Sequence, residues 1–216
     1  MKKPAERSIT EVRIVEAAVQ LFSRRGFKGT STRDIAHLAG VNEATLFRYF
    51  GRKTDLFRIA VETRLQRVKL GRELQSALSS DADPELVVPM VVDFLVHELS
   101  EESELMRLLY VAGFEFPGVL RMFRDHLGPV FDAFSGYFGR CSGRGAICEV
   151  DPAFATLGLA GAVSAHHRLH RLLAGPDAVA NGNGYAAGYA QFWLNALRRP
   201  VAAENAAATQ SSAMQA

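Results

Sequence analysis

This 216-residue sequence predicts an all-α fold with a small basic head and a larger helical body, on three observations. Apolar residues return at i, i+3, i+4 and i+7 in one stretch after another, and no stretch sustains the alternation that a half-buried strand needs. Pro and Gly interrupt the periodic stretches at helix-length intervals. Charge is unevenly spread: residues 1–58 carry 12 Lys and Arg against 6 Asp and Glu, a net of +6, whereas residues 59–216 carry 13 against 17, a net of −4. That split describes a basic module suited to a polyanion, with a mildly acidic body behind it. With 48% hydrophobic residues the chain can bury one substantial core, or a small domain joined to a larger one.

Ile14, Ala17, Ala18, Leu21 and Phe22 share one face of a first helix that ends near Gly26. Ser31, with Asp34 three residues on, supplies a capping-box-like start for a second helix, which Gly40 closes. Asn42 caps a third helix that runs to Phe50. A basic hinge, Gly51-Arg52-Lys53, then leads into a long fourth helix expected over 53–78, with Asp81 to Pro84 as the interruption. Further helices are expected over 84–99, 102–113, 117–139, 152–174 and 184–198. Pro129 should kink or break the span that contains it, and Asn181-Gly182-Asn183-Gly184 marks a turn. Residues 200–216 lack a hydrophobic face and read as a disordered tail. The expected domains are therefore 1–52, 53–199 and the tail.

The longest apolar run, residues 155–165, is interrupted by Ser164 and stops at His166 and His167, well short of a bilayer span. Lys2 and Lys3 are not followed by the apolar core of a secretory leader, so a cytoplasmic protein with no membrane partner is expected. In that reducing compartment Cys141 and Cys148, among Gly139, Gly143 and Gly145, read as unpaired thiols, a redox pair being the alternative.

Residues 31–50, STRDIAHLAGVNEATLFRYF, have helix-turn-helix spacing. Ala36 is small enough for close helix packing, Gly40 tolerates a left-handed turn, and Leu46 locks the second helix onto the core. The wider span 13–57, RIVEAAVQLFSRRGFKGTSTRDIAHLAGVNEATLFRYFGRKTDLF, resembles the N-terminal domain of TetR-family transcriptional regulators almost without a gap. The likeness runs from the first helix, through a Thr-Leu-aromatic-x-aromatic-Phe recognition helix, to the Lys-x-x-Leu-Phe that opens the fourth. It implies a three-helix helix-turn-helix DNA-binding domain followed by a helical ligand-binding and dimerisation domain. It also implies a one-component repressor that binds double-stranded, near-palindromic operator DNA as a homodimer and leaves it when a small apolar or amphipathic organic effector binds. The fourth helix would be the lever, joining the basic hinge to the sensor body.

Physical roles stand beside the resemblance. Backbone N–H groups at the start of the second helix, with Ser31 and Thr32, offer a site for a phosphate oxygen. Tyr49 and Lys53 form a second backbone clamp, one through a hydroxyl and the other through a mobile cation. Arg33 and Arg48 are long enough to reach a guanine edge with two hydrogen bonds, and Ala44 and Thr45 can touch a thymine methyl. Asn42 joins the same surface. Glu43 can accept from cytosine or simply complement the helix dipole. Family members usually have tyrosine where this chain has Phe47, which removes one phosphate hydrogen bond and leaves a ring to contact sugar or a methyl group.

In the body, six phenylalanines crowd into residues 114–138, and the piece RLLYVAGFEFPGVLRMF is similar to the AcrR-like branch of the family. Met90, Phe94, Met106, Phe114, Phe116, Met122 and Phe123 are the candidate lining of an effector cavity, as the resemblance implies; a filled core is the alternative. Two reading heads favour a two-fold partner. Gly158, Gly161 and Ala162 keep one helix face small, and Tyr189, Phe192 and Trp193 offer large anchors on the next, so the last two helices are the candidate dimer interface. No cofactor, metal or catalytic constellation is called for. Two rival readings are a DNA-binding dimer whose body only contacts protein, and a helical-bundle metalloenzyme using His166, His167 and His170.

Overall fold

The computed structural model describes residues 8–99, 104–112, 116–174 and 185–198. Ten helices run in order: α1 Ile9–Arg25, α2 Thr32–Ala39, α3 Glu43–Phe50, α4 Lys53–Leu65, α5 Arg72–Ser79, α6 Pro84–Leu99, α7 Glu104–Ala112, α8 Pro117–Gly143, α9 Pro152–Ala174 and α10 Ala186–Leu197. No strand occurs among the described residues. The expected turn at 181–184, the tail over 200–216 and Phe114 lie outside them.

Contacts divide the chain into two units, residues 1–69 with 100–129, and residues 70–99 with 130–216, rather than at residue 52. In the first, the apolar stripe of α1 packs on α2, α4 and α7, with α3 held between α2 and α4. Ile14, Ala18 and Phe22 are fully buried there with Ile35, Leu46, Leu56 and Phe57. Each of the larger of these side chains contributes roughly 1.5–3 kcal/mol on transfer from water, which helps to hold helices as short as α2 and α3 in place. In the second unit α6 is the central helix, packed by α5, α9 and α10. Its Val87, Val88, Val91, Val92 and Leu95 meet Phe134, Tyr137 and Phe138 of α8, Leu159 and Val163 of α9, and Leu194 of α10.

The expected fourth helix over 53–78 is a correction. The chain leaves the helix at Leu65 and restarts at Arg72. Tight turns carry it out, with Arg67 N–H donating to Arg64 O at 3.1 Å and Val68 N–H to Leu65 O at 3.0 Å, which turns Val68 into the core. Gly71 is the extended N-cap that restarts α5. Local helix propensity favoured one long element, and the burial of Val68 together with the ion pairing of Arg67 favoured two. A single unbroken lever from Lys53 into the body is therefore ruled out. At Pro129 the span does not break: α8 continues through the proline. A proline inside a helix forfeits one backbone hydrogen bond, a loss that packing of Phe134, Tyr137 and Phe138 outweighs.

Candidate nucleic-acid interface

Three short helices carry the site, and polar contacts fix their ends. Ser8 and Glu11 form a reciprocal capping box at the start of α1. Ser31 Oγ accepts from Asp34 N–H at 3.0 Å, and Asn42 Oδ1 accepts from Thr45 N–H at 2.7 Å. Ser31 and Asn42 thus first hold helix ends, and both side chains are exposed. Hydrogen bonding from Ser31 also holds the Asp34 carboxyl below its usual range.

Two clasps hold the ends of α2, one to α3 and the other to α1. At one end Thr32 donates to Glu43 Oε1 at 2.5 Å, joining the first residues of the two helices. This occupies both groups: Thr32 is committed to a carboxylate rather than free for phosphate, and Glu43 is tied to α2 rather than held ready for cytosine. At the other end Arg13, reaching across from α1, donates to the carbonyls of Ala39 and Gly40. Gly40 has φ +65°, a backbone handedness that calls for glycine; a Cβ there would meet only the mobile end of the Arg13 side chain. The sequence reading missed Arg13 because nothing in local spacing ties it to a turn so far along the chain.

With these ends held, α3 is two-faced. Leu46 and Phe50 are buried, whereas Ala44, Phe47, Arg48 and Tyr49 are exposed and Thr45 is half-buried. Arg33 is exposed on the adjoining face of α2. Phe47 is 45% exposed on this helix of eight residues. Arg48 leans over the Tyr49 ring, 5.4 Å from its centroid. Lys53, half-buried at the start of α4, places its ammonium 4.3 Å from the centroid of Phe27, and burial pulls its pKa down. The arrangement offers donors to phosphates at its edges and two long arginines with apolar contacts at its centre.

Behind this face, Arg64 is buried and donates to Glu16 through two nitrogens at 3.2 and 2.6 Å, while Arg67 donates to the same carboxylate at 2.7 Å. The Arg64 hydrogen bond chiefly holds the Glu16 carboxyl below its usual range, against the opposing effect of burial.

The candidate effector residues divide between the units. Met90 and Phe94 are half-buried against the body core, Phe94 lying 5.8 Å from Phe134. Met106 is buried in α7, and Met122 and Phe123 are half-buried in the first half of α8, all within the first unit. Phe116 packs against Phe27 and Phe57 at 4.8 and 5.1 Å, beside Lys53.

Of the candidate dimer residues, Gly158 and Trp193 meet within one chain. A Cβ on Gly158 would lie 3.2 Å from the Trp193 ring, and Trp193 Nε1 is buried with no acceptor among the described residues. Tyr189 and Ala162 also meet, through a 3.4 Å hydrogen bond. Gly161 and Phe192 face outward, with Phe192 63% exposed. Two further side chains on α9 that the sequence reading did not name, Phe154 and Leu157, are 70% and 62% exposed. Their spacing with Gly161, at i, i+3 and i+7, would have revealed the stripe.

His166 lies between Tyr185 and Tyr189 at 4.8 and 5.2 Å, and the side chains of His167 and His170 lie outside the described residues. Among the described residues no three His, Cys, Asp or Glu come together as metal ligands, and no helix is long and apolar enough to cross a membrane. Cys141 is buried and Cys148 half-buried, both as free thiols.

Residues 14–60 match the family of bacterial regulatory proteins, tetR family. An HTH-type transcriptional repressor of Streptomyces coelicolor is 33% identical over 107 residues, covering 50% of this chain and 51% of that protein. One from Mycobacterium tuberculosis is 35% identical over 86 residues, covering 40% and 43%. The chain thus spans about half the length of the curated relatives it matches. Likeness of fold extends further. AibR in complex with isovaleryl coenzyme A and operator DNA superposes with a TM-score of 0.69 at 18% identity, covering 85% of this chain and 97% of that one. FadR from Bacillus subtilis in complex with stearoyl-CoA gives 0.63 at 16%, covering 85% and 97%.

Proposed function

We propose that this chain, a member of the tetR family of bacterial regulatory proteins through its N-terminal module, is a homodimeric transcriptional repressor that binds double-stranded operator DNA with α2 and α3. The observation that carries the reading is the outer face of α3, where Phe47, Arg48 and Tyr49 stay exposed while Asn42 caps the helix, Thr32 ties its first residue to α2 and Arg13 ties α1 to the turn before it. Backbone N–H groups at the α2 start, with Ser31, take a phosphate; Lys53 and Tyr49 take another; Arg33 and Arg48 read guanine edges while Ala44 and Thr45 meet thymine methyls. Asn42 and Glu43 serve mainly to hold the reader. Such a protein works where the chromosome is, in the cytoplasm, and the reading assigns it no catalytic chemistry.

Dimerisation through α9 and α10 accounts for the outward stripe of Phe154, Leu157, Gly161 and Phe192, which one chain leaves in water. A two-fold dimer then presents two copies of α3 to successive major-groove faces of a near-palindromic site. Release follows if an effector favours a dimer whose heads are wrongly spaced, since a ligand shifts only equilibria in which it distinguishes the states. Met90 and Phe94, half-buried against the body core, are the candidate contacts in that unit. Because two structural neighbours hold acyl-coenzyme A thioesters, amphipathic acyl thioesters are the first class to test.

Selection of bound duplexes from a random pool tests the core of the reading. It should enrich two inverted half-sites about one helical turn apart. Equal binding to every sequence at physiological salt would overturn it. Thermal denaturation with acyl-coenzyme A thioesters tests the effector class, because a ligand of the folded state must raise the midpoint.

A further inference from the structure

The cation at the edge of the reading surface does not stand alone. Lys53 Nζ lies 4.3 Å from the centroid of Phe27, whose ring sits in the turn between α1 and α2, where no helical ladder fixes it. Its position is set by other rings. Phe22 stacks on it at 5.8 Å and 21°, Phe57 meets it at 5.3 Å and 70°, and Phe116 meets it at 4.8 Å and 71°. Phe22 and Phe57 are fully buried and belong to the helices of the head. Phe116 comes from the residue just before α8, where its carbonyl accepts from Val119 N–H at 2.8 Å, and it also lies 5.1 Å from Phe57. One ring from far along the chain thus closes a four-ring cluster under a lysine of the DNA-facing surface.

We propose that Phe116 is a positioning residue for the Lys53 phosphate contact: it holds Phe27 as the platform on which the ammonium rests, so the segment opening α8 sets how strongly the head grips the DNA backbone. This rests on the proposed reading of Lys53 as a phosphate clamp. A free lysine gives up much of its rotamer freedom when a phosphate fixes its tip, whereas one already resting on a ring face has less to lose. Aromatic pairs in edge-to-face geometry hold each other beyond what their buried area supplies, so removing the Phe116 ring lets Phe27 turn and the ammonium drift. The loss should be indifferent to base sequence, because a phosphate contact carries none. It also gives Phe116 a task other than lining an effector cavity.

The test compares the full-length wild type with Phe116→Leu, Phe116→Tyr, Phe27→Leu, Lys53→Ala and the Lys53→Ala/Phe116→Leu double variant, each first checked for cooperative thermal unfolding. Binding to a selected duplex and to a scrambled one is titrated across salt concentrations. Phe116→Leu should weaken both duplexes about 3- to 10-fold and equally, the loss of one well-placed cation contact. Phe116→Tyr, which keeps the ring, should bind as wild type. In the Lys53→Ala background Phe116→Leu should cost nothing further. Without DNA, the Lys53 ε-methylene protons should resonate upfield under the Phe27 ring current in the wild type and return toward the free-lysine position in Phe116→Leu and Phe27→Leu. Losses that multiply in the double variant, or an ε-methylene shift untouched by Phe116→Leu, overturn the proposal while leaving Lys53 as a clamp. Lys53→Ala with unchanged affinity and salt slope overturns it together with the clamp, while reading by α3 stands on the selected sequence preference. If Phe116→Leu unfolds, Phe116→Met, which keeps an unbranched apolar side chain of similar reach, takes its place in every comparison.

Discussion

The head and the body solve the same problem, holding helices together, by different means. In the head, α2 and α3 have eight residues each and bury three and two side chains, too little to fix an angle by packing alone. Caps, the Thr32 to Glu43 bond and the Arg13 bonds to the α2 carbonyls supply the direction that apolar contact lacks. In the body, helices of up to 23 residues entirely within that unit pack through valine, leucine and phenylalanine, with one cluster of polar contacts around residues 78–82. There Tyr137 donates to Ala82 O at 2.8 Å, Arg140 donates to Leu78 O, and Arg144 donates to the carbonyls of Asp81 and Ala82 at 2.6 and 2.9 Å. A reader of DNA must place donors to within a fraction of a hydrogen-bond length, and directional bonds do that. Apolar packing of the kind that fills the body tolerates small shifts.

The sharpest way to break the comparison is to charge the body's exposed stripe. Phe192→Asp or Leu157→Asp should give a folded monomer that has lost nearly all specific operator binding, because an unpaired charge cannot be buried in the dimer and single heads bind weakly. Light scattering on the variants checks it, and an intact dimer would move the interface elsewhere. Trp193→Asp should instead unfold the subunit, since that ring already packs on Gly158 within the chain.

Next in size is Arg48→Ala, expected to weaken operator binding by about 1 to 3 kcal/mol and to relax preference at one base position per half-site. A repeated selection experiment with an unchanged preference would remove Arg48 from the reading set. Arg13→Ala separates holding from reading. It should cost about 1 to 2 kcal/mol in operator affinity by loosening the α2 to α3 angle, without altering which base is preferred, and Arg13→Lys should recover part of the loss. Should Arg13→Ala bind as wild type, the clasp is ornamental and packing alone sets the angle.

The smallest effect is on stability. The Glu16 carboxyl, held below its usual 4.5 chiefly by Arg64, adds stability above that pH and loses it as pH falls through the depressed value. Its side chain is 39% exposed, so solvent screening keeps the contribution under about 1 kcal/mol. Glu16→Gln should therefore lower the thermal midpoint slightly at pH 7, with the difference vanishing in acid. A gap that widens on acidification would contradict the sign.

Much of the head was legible because its information is local. Ser31, Asn42 and Gly40 announce caps and a left-handed turn within a few residues of the groups they satisfy, and Leu46 and Phe50 fall on the buried face that helical periodicity assigns them. The exposed set of Arg33, Phe47, Arg48 and Tyr49 follows from the same periodicity read on its other side. Composition and periodicity likewise determined the all-α class and the positions of most helices. What only the tertiary structure decided involves partners far apart in sequence. The break after Leu65 depends on where Val68 and Arg67 find a core and a carboxylate, and Arg13 finds its carbonyls across a helix pair. Trp193 meets Gly158 from the next helix, and Phe116 joins Phe27 rather than the body. Hydrophobicity states that such a side chain must be buried; only the folded chain determines against what.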